Sequence, residues 1–509
     1  MNLLQTSNDQ FTPEQFQAIH YQGNNLLLSA SAGSGKTRVL VERLMTQVKE
    51  GRSLLDLLVV TFTELAAKEM KERIEKGLKE EINREPEESR RHHLQEEVLR
   101  LHQANIQTID AFCRQVVNRY YYLIHLDPTY RLVTDETEWA LFYEEVWSDL
   151  KEAILTEGTA EWEAYYSDFD QLYENFSQGR SQQVEQVDQL IYTFYQKSRS
   201  HAHPKAWLEK SLSWYPRGEN YTESPLYQEQ VKPLVTKIFK EEVMAPYSLY
   251  LEKFPSEMPG KDEEAWQELY EGLLGYEKEM KNLLQQMEKG TYSEVYRSLA
   301  NFPKMTFPKV KLTPKSEAMT AKKDWSKQFT QMKKRLAWDK IFPFYAFEEA
   351  TLGKMLEESY QLANALVRLT IAFMEAMEEK MRERKVMDFQ AIELSAYDIL
   401  TANQGDNEAI RYYQERFKEV MVDEYQDVNG LQEAILEAVS RQGVAHQSNN
   451  RFMVGDVKQS IYRFRFAQPD LFMTKYQTIV LLRKRGKRWR DVRFNWPRTS
   501  GHAQKCFLL

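Results

Sequence analysis

A short segment rich in glycine, with a lysine and a threonine at its end, is the part of this chain best suited to chemistry. It consists of Ala30, Ser31, Ala32, Gly33, Ser34, Gly35, Lys36 and Thr37. Glycines let successive backbone N–H groups surround phosphates, and the N-terminus of a following helix adds positive potential. A lysine in this position reaches the outer phosphates, and the next hydroxyl binds Mg²⁺. The segment therefore predicts a site that binds and hydrolyses ATP or GTP.

The flanks of this segment favour a nucleotide site over a plain turn. The strict pattern G-x-x-x-x-G-K-[ST] begins with glycine, whereas this chain has Ala30 there. A glycine-rich turn that binds no nucleotide is the alternative interpretation. However, the apolar run 26–28 predicts a strand before the segment, and the apolar spacing of 39, 40, 44 and 48 predicts a helix after it.

Two acids follow another apolar run late in the chain. Asp423 and Glu424 come directly after Val420–Val422. In a parallel sheet the carboxyl ends of neighbouring strands meet at one edge, which would bring these acids to the phosphate segment. Asp423 would then hold Mg²⁺ and Glu424 would activate the attacking water. Alone, such a pair is more often a solvated surface or a helix cap, so the interpretation depends on the phosphate segment.

A third pattern combines aromatic and cationic side chains after a predicted strand–turn. Gln459 stands where it could sense the γ-phosphate of a nucleotide. Tyr462 and Phe464 then alternate with Arg463 and Arg465. Aromatic rings and cations together suit single-stranded nucleic acid, because rings stack on bases while arginines contact phosphates. The alternative is a pair of core aromatics with salt-bridged arginines.

A fourth pattern lies where a predicted strand meets a predicted helix. Leu57–Thr61 predicts the strand, Glu64–Leu78 predicts the helix, and Thr63 is a plausible N-cap between them. Phe62 at the strand end could stack on a base, or it could belong to the core.

These segments are positioned by a predicted α/β fold with a parallel sheet. Its strands are predicted at Asn25–Ser29, Leu57–Thr61, Ile106–Thr108, Val420–Val422 and Phe452–Val454. Short, nearly continuous apolar runs are typical of parallel strands buried on both faces. The simplest arrangement is one α/β domain formed by residues 1–130 and 386–476, interrupted by a mostly helical domain at 131–385. Eight of the ten tryptophans lie in that interruption, which indicates a folded domain, with a loop expected at 304–318.

Composition limits the class of protein without fixing its function. The 509 residues contain no apolar stretch of about 18 residues, so no membrane-spanning helix and no membrane partner are expected. The two cysteines, Cys113 and Cys506, give neither a disulfide framework nor a zinc spacing, which fits a cytoplasmic setting. The net charge is −8, yet residues 477–509 carry nine Lys/Arg and one acid. An acidic protein can still bind DNA through a local basic groove.

Taken in order, the motifs resemble those of superfamily 1 helicases of the UvrD/RecB type. Residues 11–15 resemble the adenine-reading Q motif, with Gln15 as the reader. Further segments resemble motif I, motif Ia, the next DNA-contacting motif, motif II and motif III, in the order 30–37, 61–70, 108–113, 422–427 and 455–467. Residues 387–389 match the segment that precedes motif II. The resemblance implies a RecA-like P-loop domain with a helical insertion.

The resemblance assigns roles to individual residues. The implied catalytic residues are Lys36, Glu424 and Gln459. The implied nucleotide-binding residues are Gln15, Ala30, Ser31, Ala32, Gly33, Ser34, Gly35, Lys36, Thr37 and Arg38. Thr37 and Asp423 would hold Mg²⁺. The implied DNA-binding residues are Thr61, Phe62, Thr63, Thr108, Tyr462, Phe464 and Arg465. The cofactors would be ATP and Mg²⁺.

Within that superfamily, the insertion and the segment 454–465 resemble the AddA (RexA) family of helicase–nuclease proteins. The resemblance implies an ATP hydrolase and 3′–5′ helicase that acts on single- and double-stranded DNA, pairs with AddB (RexB) in a heterodimer, and resects double-strand ends for recombinational repair. The family's second motor domain and nuclease are not found in this sequence. A non-catalytic fragment that binds DNA or AddB is therefore the alternative, while a small-molecule P-loop kinase would leave the ordered DNA motifs unexplained.

The basic tail 477–509 is predicted to be an aberrant product of a shifted reading frame, and a nucleic-acid-binding extension is the alternative. Back-translating residues 495–507 and reading two bases later permits L-A-K-N-F-R-S-R-P-E-V-L. This string resembles the family's motif IV, which is expected just there. A frameshift is therefore predicted between about residues 476 and 490.

Overall fold

The computed structural model describes residues 11–29, 33–156, 160–177, 184–216, 220–258, 260–441, 449–456, 466–484 and 491–495. Two compact units divide the chain. The first, here called the α/β unit, contains Met1–Trp162, Asp188–Trp207 and Thr370–Leu509, and the second, here called the helical unit, contains Glu163–Val187 and Leu208–Leu369. The domain boundaries near residues 130 and 385 stay a prediction.

A parallel sheet organises the α/β unit and confirms the predicted fold class. The strands in chain order are β1 Asn25–Ser29, β2 Leu57–Thr61, β3 Asn105–Thr108, β4 Arg131–Leu132, β5 Val386–Met387, β6 Glu419–Val422, β7 Arg451–Gly455 and β8 Asp491–Asn495. Six of them form one sheet in the order β3-β2-β6-β7-β1-β8, while β4 and β5 pair separately. Each of these strand pairs is parallel.

The register of the sheet brings the predicted chemical segments to one edge. Val422 of β6 lies opposite Val60 of β2 and opposite Met453 of β7. On the other side of β7, Gly455 lies opposite Ser29 of β1. Because the strands are parallel, the carboxyl ends of β1, β2, β6 and β7 lie at the same edge of the sheet.

Nineteen α-helices are found in the described residues. They are α1 Pro13–His20, α2 Lys36–Lys49, α3 Glu64–Arg84, α4 Glu88–Arg100, α5 Ile109–Tyr120, α6 Glu136–Thr156, α7 Ala160–Ser177, α8 Val184–Ser198, α9 Pro204–Leu212, α10 Lys232–Ile238, α11 Ala245–Lys253, α12 Glu263–Lys289, α13 Tyr292–Ala300, α14 Glu317–Lys333, α15 Glu349–Arg384, α16 Phe389–Thr401, α17 Glu408–Arg416, α18 Gly430–Ala438 and α19 Pro469–Lys484. Helix α3 continues past the end predicted at Leu78 and ends at Arg84, because no residue that signals the end of a helix precedes Glu85.

The sheet is buried on both faces, as the apolar runs predict. Alternate side chains of one strand enter different cores: Leu26 and Leu28 pack in one cluster, while Leu27 packs in the other. Strand β2 repeats this, with Val59 in the first cluster and Val60 in the second. Successive side chains of a strand point to opposite faces, so the helices cover both sides of the sheet.

The helical unit has an aromatic core of its own. The core residues lie between Tyr221 and Tyr345, and Trp266 of α12 is fully buried among them. The predicted loop 304–318 ends two residues early, because Ser316 caps α14 by accepting a hydrogen bond from the Met319 N–H at 3.1 Å. Side-chain acceptors of this kind satisfy the free N–H groups of the first turn and set where a helix begins.

Candidate active site

Strand β1 precedes the phosphate segment and helix α2 begins within it, and residues 33–37 of the segment are described. Gly33 and Gly35 have φ angles of +72° and +85°, a left-handed conformation that glycine adopts without a steric penalty. Gly35 caps α2 but offers no side chain to its N–H groups. These donors therefore remain available to an anion at the helix N-terminus. The predicted residues Ala30, Ser31 and Ala32 lie outside the described residues.

Lys36 and Glu424 meet at the edge of the sheet although 388 positions separate them. The Lys36 ammonium lies 2.7 Å from the Glu424 carboxylate, and its side chain is 8% exposed. A lysine this buried needs a charge partner, and Glu424 provides it. The structure thus brings together two of the three predicted catalytic residues. The third, Gln459, lies outside the described residues.

Asp423 is a desolvated acid beside a second acid. Burial, and then the charge of Glu424, raise the pKa of Asp423 to about 6, while the Glu424 backbone N–H and Lys36 oppose that rise. The N–H of Glu424 donates to Asp423 Oδ1 at 3.0 Å. A divalent cation would stabilise both acids, since hard cations prefer carboxylate and hydroxyl oxygens.

The protein groups fit Mg²⁺ shared with phosphates better than a closed metal cage. The described residues contain no cluster of three or more His, Cys, Asp or Glu that could hold a metal ion. Mg²⁺ is commonly held by one or two carboxylates together with substrate phosphates and water. Asp423 at the end of β6 and Thr37 in the first turn of α2 can supply protein oxygens for this coordination.

Gln426 connects the acidic pair to the end of β7, a role that the sequence did not reveal. Its Nε2 donates to Glu424 Oε2 at 2.7 Å, and its Oε1 accepts a hydrogen bond from the Asp456 N–H at 2.9 Å. Gly455 leaves the room for this contact, because a Cβ there would lie 2.5 Å from Gln426 Oε1. Glu424 itself adopts a left-handed φ of +50°, which costs energy in a residue with a side chain.

Gln15 and Arg38 lie beside the phosphate segment. Gln15 belongs to a capping box: its Oε1 accepts from the Thr12 N–H at 2.7 Å, and its Nε2 lies 3.5 Å from the Ser34 carbonyl oxygen. The Arg38 guanidinium lies over the Phe11 ring, 4.6 Å from its centre. The start of α1 and the start of α2 are therefore in contact, as expected if both contribute to one nucleotide site.

A buried ion pair fixes α2 against the sheet. Arg43 Nη2 lies 2.5 Å from Glu419 Oε1, and the two side chains are 3% and 8% exposed. Arg43 Nη1 also donates to the Ala18 carbonyl oxygen at 2.6 Å, which adds the end of α1. This contact was not predicted, since an arginine within an amphipathic helix usually faces water.

A groove of about 750 Å³ lies at the same edge of the sheet, beside the carboxyl ends of β2 and β3. It is called the α5 groove here and is lined by Phe62, Thr63, Glu64, Gln107, Thr108, Asp110, Ala111, Arg114, Gln115, Asn118, Arg119, Phe389 and Ile392. Three predicted DNA-binding residues, Phe62, Thr63 and Thr108, are therefore neighbours. The fourth described one, Thr61, is 2% exposed and lines a cavity of about 20 Å³ with Phe62, Asp423 and Glu424.

The threonines in this region also have structural roles. Thr63 accepts from the Ala66 N–H at 3.1 Å and caps α3, while Thr108 accepts from the Ala111 N–H at 3.3 Å and caps α5. The Thr61 hydroxyl donates to the Thr63 carbonyl oxygen at 3.1 Å. The remaining predicted DNA-binding residues, Tyr462, Phe464 and Arg465, lie outside the described residues.

Comparisons with known proteins agree with these motifs. The family described as the UvrD/REP helicase N-terminal domain matches residues 11–479. A protein of Enterococcus faecalis, named as a subunit of an ATP-dependent helicase/nuclease, is 37% identical over 479 residues, which cover 93% of this chain and 36% of that protein. Proteins of the same name from Ligilactobacillus salivarius and Lactiplantibacillus plantarum are both 35% identical, covering 92% and 94% of this chain. The chain spans 36–37% of the length of these relatives.

None of the described helices has the length and apolar character needed to cross a membrane.

Proposed function

Because this chain belongs to the UvrD/REP helicase family, we propose that it carries the ATP-binding part of an ATP-dependent DNA helicase of the AddA (RexA) type. The observation that carries this proposal is the 2.7 Å contact between Lys36 and Glu424. It joins the phosphate segment to the acidic pair, and the same edge of the sheet continues into the groove that contains Phe62.

The proposed chemistry uses the described residues as follows. Lys36 leaves Glu424 for the outer phosphates of ATP, which frees the Glu424 carboxylate to orient water and accept its proton. Asp423 and Thr37 would hold Mg²⁺, which neutralises charge that develops on the phosphates. Gln426 keeps Glu424 aligned with the end of β7 through its two hydrogen bonds. Gln15 would read the adenine.

The remaining parts of the proposal concern substrates and partners. Single-stranded DNA would occupy the groove of Phe62, Thr63 and Thr108, with movement from 3′ to 5′. The complete enzyme would pair with AddB (RexB), carry a nuclease, and process double-strand DNA ends for recombinational repair in the cytoplasm. The relatives are named as subunits of a helicase/nuclease, which supports a nuclease and a partner chain in those proteins.

A DNA-stimulated ATPase assay on the purified chain tests the proposal. Single-stranded DNA is expected to raise the rate of phosphate release, and Lys36→Ala is expected to abolish it. Lys76→Ala is a matched control, since Lys76 is an exposed lysine of α3. A turnover that survives Lys36→Ala with the chain folded would overturn the assignment of this ATP site.

A non-catalytic module that binds DNA or AddB (RexB) is the second candidate. In this family the second motor domain supplies arginines to the γ-phosphate, a contact that can be worth about 10³–10⁵ in rate. DNA binding without DNA-stimulated turnover would support the module. Weak ATP binding with very slow hydrolysis is expected if the chain acts without that domain.

We propose that residues 477–509 come from a shifted reading frame. The family match ends at residue 479, within the interval predicted for the shift. Strand β8 of this tail pairs in parallel with β1, so a segment of altered sequence would still add an edge strand to the sheet. Sequencing the gene across codons 470–509 and beyond tests this idea, which fails if no alternate frame continues into a second motor domain.

A further inference from the structure

The α/β unit contains a further cavity, here called the α16 pocket, with a volume of about 330 Å³. Its wall comes from the segment after α5, the ends of α8 and α15, strand β5 and one face of α16. It shares no lining residue with the α5 groove or with the small cavity beside Asp423. Small-molecule sites commonly have volumes of about 300–1,000 Å³, so the pocket has the size of a ligand site.

The interior of the α16 pocket is mostly apolar and rich in methionine. Its apolar side chains include Ile124, Leu126, Met374, Met381, Met387 and Leu394. Methionine is flexible and polarizable, so it adapts to irregular shapes and makes favourable contacts with aromatic rings. An aromatic body would therefore gain free energy by leaving water for this pocket.

A tyrosine in the wall has a hydroxyl group without a partner. Tyr195 is 1% exposed, and its hydroxyl group makes no hydrogen bond with any described residue. The ring itself is well packed, since the Phe373 ring lies 5.2 Å away, edge to face, and the Arg199 guanidinium lies 5.0 Å from its centre. A buried hydroxyl without a hydrogen bond costs free energy, and such groups are rare. This hydroxyl is therefore a candidate partner for a polar atom of a ligand.

Two carboxyl groups of the wall also lack a partner of opposite charge. Glu378 of α15 and Asp398 of α16 are exposed, and neither forms an ion pair with a described residue. Partial burial nevertheless raises the pKa of both acids, while Arg199 opposes the rise at Glu378 and His203 opposes it at Asp398. A ligand cation would supply the charge that these two carboxylates lack.

The cations of the same wall do not balance these two acids. Arg199 lies 2.5 Å from Asp388, and Lys385 lies 2.7 Å from Asp127, so both are already paired. Arg382 is exposed and has no ion pair among the described residues. Two unpaired acids against one unpaired cation favour a positively charged ligand over a carboxylate or a phosphate.

We propose that the α16 pocket binds a small organic cation, an ammonium group joined by a short chain to an aromatic body. The aromatic body would occupy the methionine-lined interior, and the ammonium group would pair with Glu378 and Asp398. A hydroxyl group on the body would pair with the Tyr195 hydroxyl. The pocket takes no part in the proposed ATP and DNA chemistry, so this is a separate site with its own ligand.

Calorimetric titration of the purified chain with three related probes tests the chemistry of the ligand. Tryptamine is expected to bind with a dissociation constant at or below about 1 mM, which is reasonable for a ligand of its size. Indole-3-propionate has the same ring and chain length with the opposite charge, and it is expected to bind at least about tenfold more weakly. The added hydroxyl of 5-hydroxytryptamine is expected to strengthen binding by about threefold or more.

Variants of the acids test the place of binding. Glu378→Gln combined with Asp398→Asn is expected to weaken tryptamine binding by about fivefold or more and to remove the preference over indole-3-propionate. Glu379→Gln is the matched control, because Glu379 is an exposed acid of the same helix that does not line the pocket. Urea unfolding of each variant establishes that it is folded.

Tyr195→Phe tests the hydroxyl separately. It is expected to abolish the advantage of 5-hydroxytryptamine and to leave tryptamine binding unchanged, with no loss of stability, since the hydroxyl has no partner to lose. An advantage that survives Tyr195→Phe would remove this hydroxyl from the proposal.

Three results would overturn the site as a whole. They are no binding of tryptamine to the folded chain, equal affinity for tryptamine and indole-3-propionate, and tryptamine binding that is unchanged in the double variant. None of these measurements uses ATP or DNA, so they are independent of whether the proposed function holds.

Discussion

At the scale of single residues, the candidate active site contains two neighbouring carboxyl groups whose burial and mutual repulsion are unfavourable. Asp423 is buried beside Glu424, and burial together with that neighbour raises the pKa of Asp423 to about 6. Lys36 offsets only part of this, since it lies against Glu424. Strain of this kind is common where a cation or substrate supplies the missing charge.

Asp423→Asn is therefore expected to stabilise the chain measured without Mg²⁺. The folded-state pKa of about 6 exceeds the ordinary value of 3.8, so the folded protein binds a proton more tightly than the unfolded one. The stability that protonated Asp423 contributes is fully present below pH 4, and it is lost as the pH rises through 6. At pH 7.5 we expect a gain of about 1–3 kcal/mol in the free energy of unfolding, which shrinks towards pH 4.

Urea unfolding across pH 4–8 measures this effect. Asp470→Asn serves as the control, because Asp470 is an exposed acid of α19. A gain that grows towards pH 4, or a loss at pH 7.5, would contradict the raised pKa.

Gly455→Ala is expected to lower stability by about 1–3 kcal/mol. The new Cβ would lie 2.5 Å from Gln426 Oε1 and 3.0 Å from the Phe472 ring, and both neighbours are buried. Gly275→Ala is the matched control: a Cβ there meets nothing within 4 Å, so a small gain is expected within α12. Thermal unfolding of both variants distinguishes them, and similar melting temperatures would show that Gly455 has room for a side chain.

At the scale of elements, the site depends on how α2 is held against β6. Arg43 and Glu419 make that connection from within the core, and Gln47 adds a further hydrogen bond to Glu419. The Arg43 guanidinium also lies over the Phe452 ring of β7 at 4.8 Å. The helix that begins with Lys36 is thereby tied to the two strands that precede Asp423 and Asp456.

Arg43→Met is expected to cost about 3–5 kcal/mol of stability, because it leaves the Glu419 carboxylate buried without a partner. Adding Glu419→Leu is expected to recover much of that loss, since the buried charge is then removed as well. Lys79→Ala is the control, because the Lys79–Glu75 pair is exposed and should contribute less than about 0.5 kcal/mol. Urea unfolding gives the three values, and a double variant no more stable than Arg43→Met would refute the account.

At the scale of the whole molecule, the helical unit has a core that does not depend on the sheet. Its cluster of buried residues lies entirely within residues 221–345. Trp266 is a fully buried member of this cluster, and its indole N–H donates to the Pro255 carbonyl oxygen at 2.8 Å. A core that is complete within one segment is the usual mark of a separately stable unit.

Residues 208–369 are therefore expected to fold when produced alone. Circular dichroism should show a helical spectrum and a cooperative thermal transition, and Trp266→Ala should lower the stability by about 3–5 kcal/mol. An exposed residue of the same helix, Glu268, gives the control substitution Glu268→Ala. A broad, non-cooperative transition in the fragment would show that the unit needs the rest of the chain.

The sequence by itself determined the local parts of this protein. The apolar runs predicted strands β1, β2 and β3 and the cores of β6 and β7. A parallel strand that is buried on both faces needs apolar side chains at successive positions, and this pattern is visible in neighbouring residues. The glycines of 33–37 predicted a turn, and Gly33 and Gly35 adopt positive φ angles that few other residues adopt at low cost. The order of the motifs also predicted the family.

Only the tertiary structure decided which distant side chains meet. Gln426 and Arg43 carry no local signal of their contacts, because their partners are set by the order of strands in the sheet and not by their own neighbours in sequence. Phe389 carries no local signal of its exposure in the α5 groove, because that exposure depends on where α16 begins beside α5. The sequence predicted that the acidic pair would lie near the phosphate segment, and the strand order of the sheet adds that Lys36 and Glu424, 388 positions apart, are in direct contact.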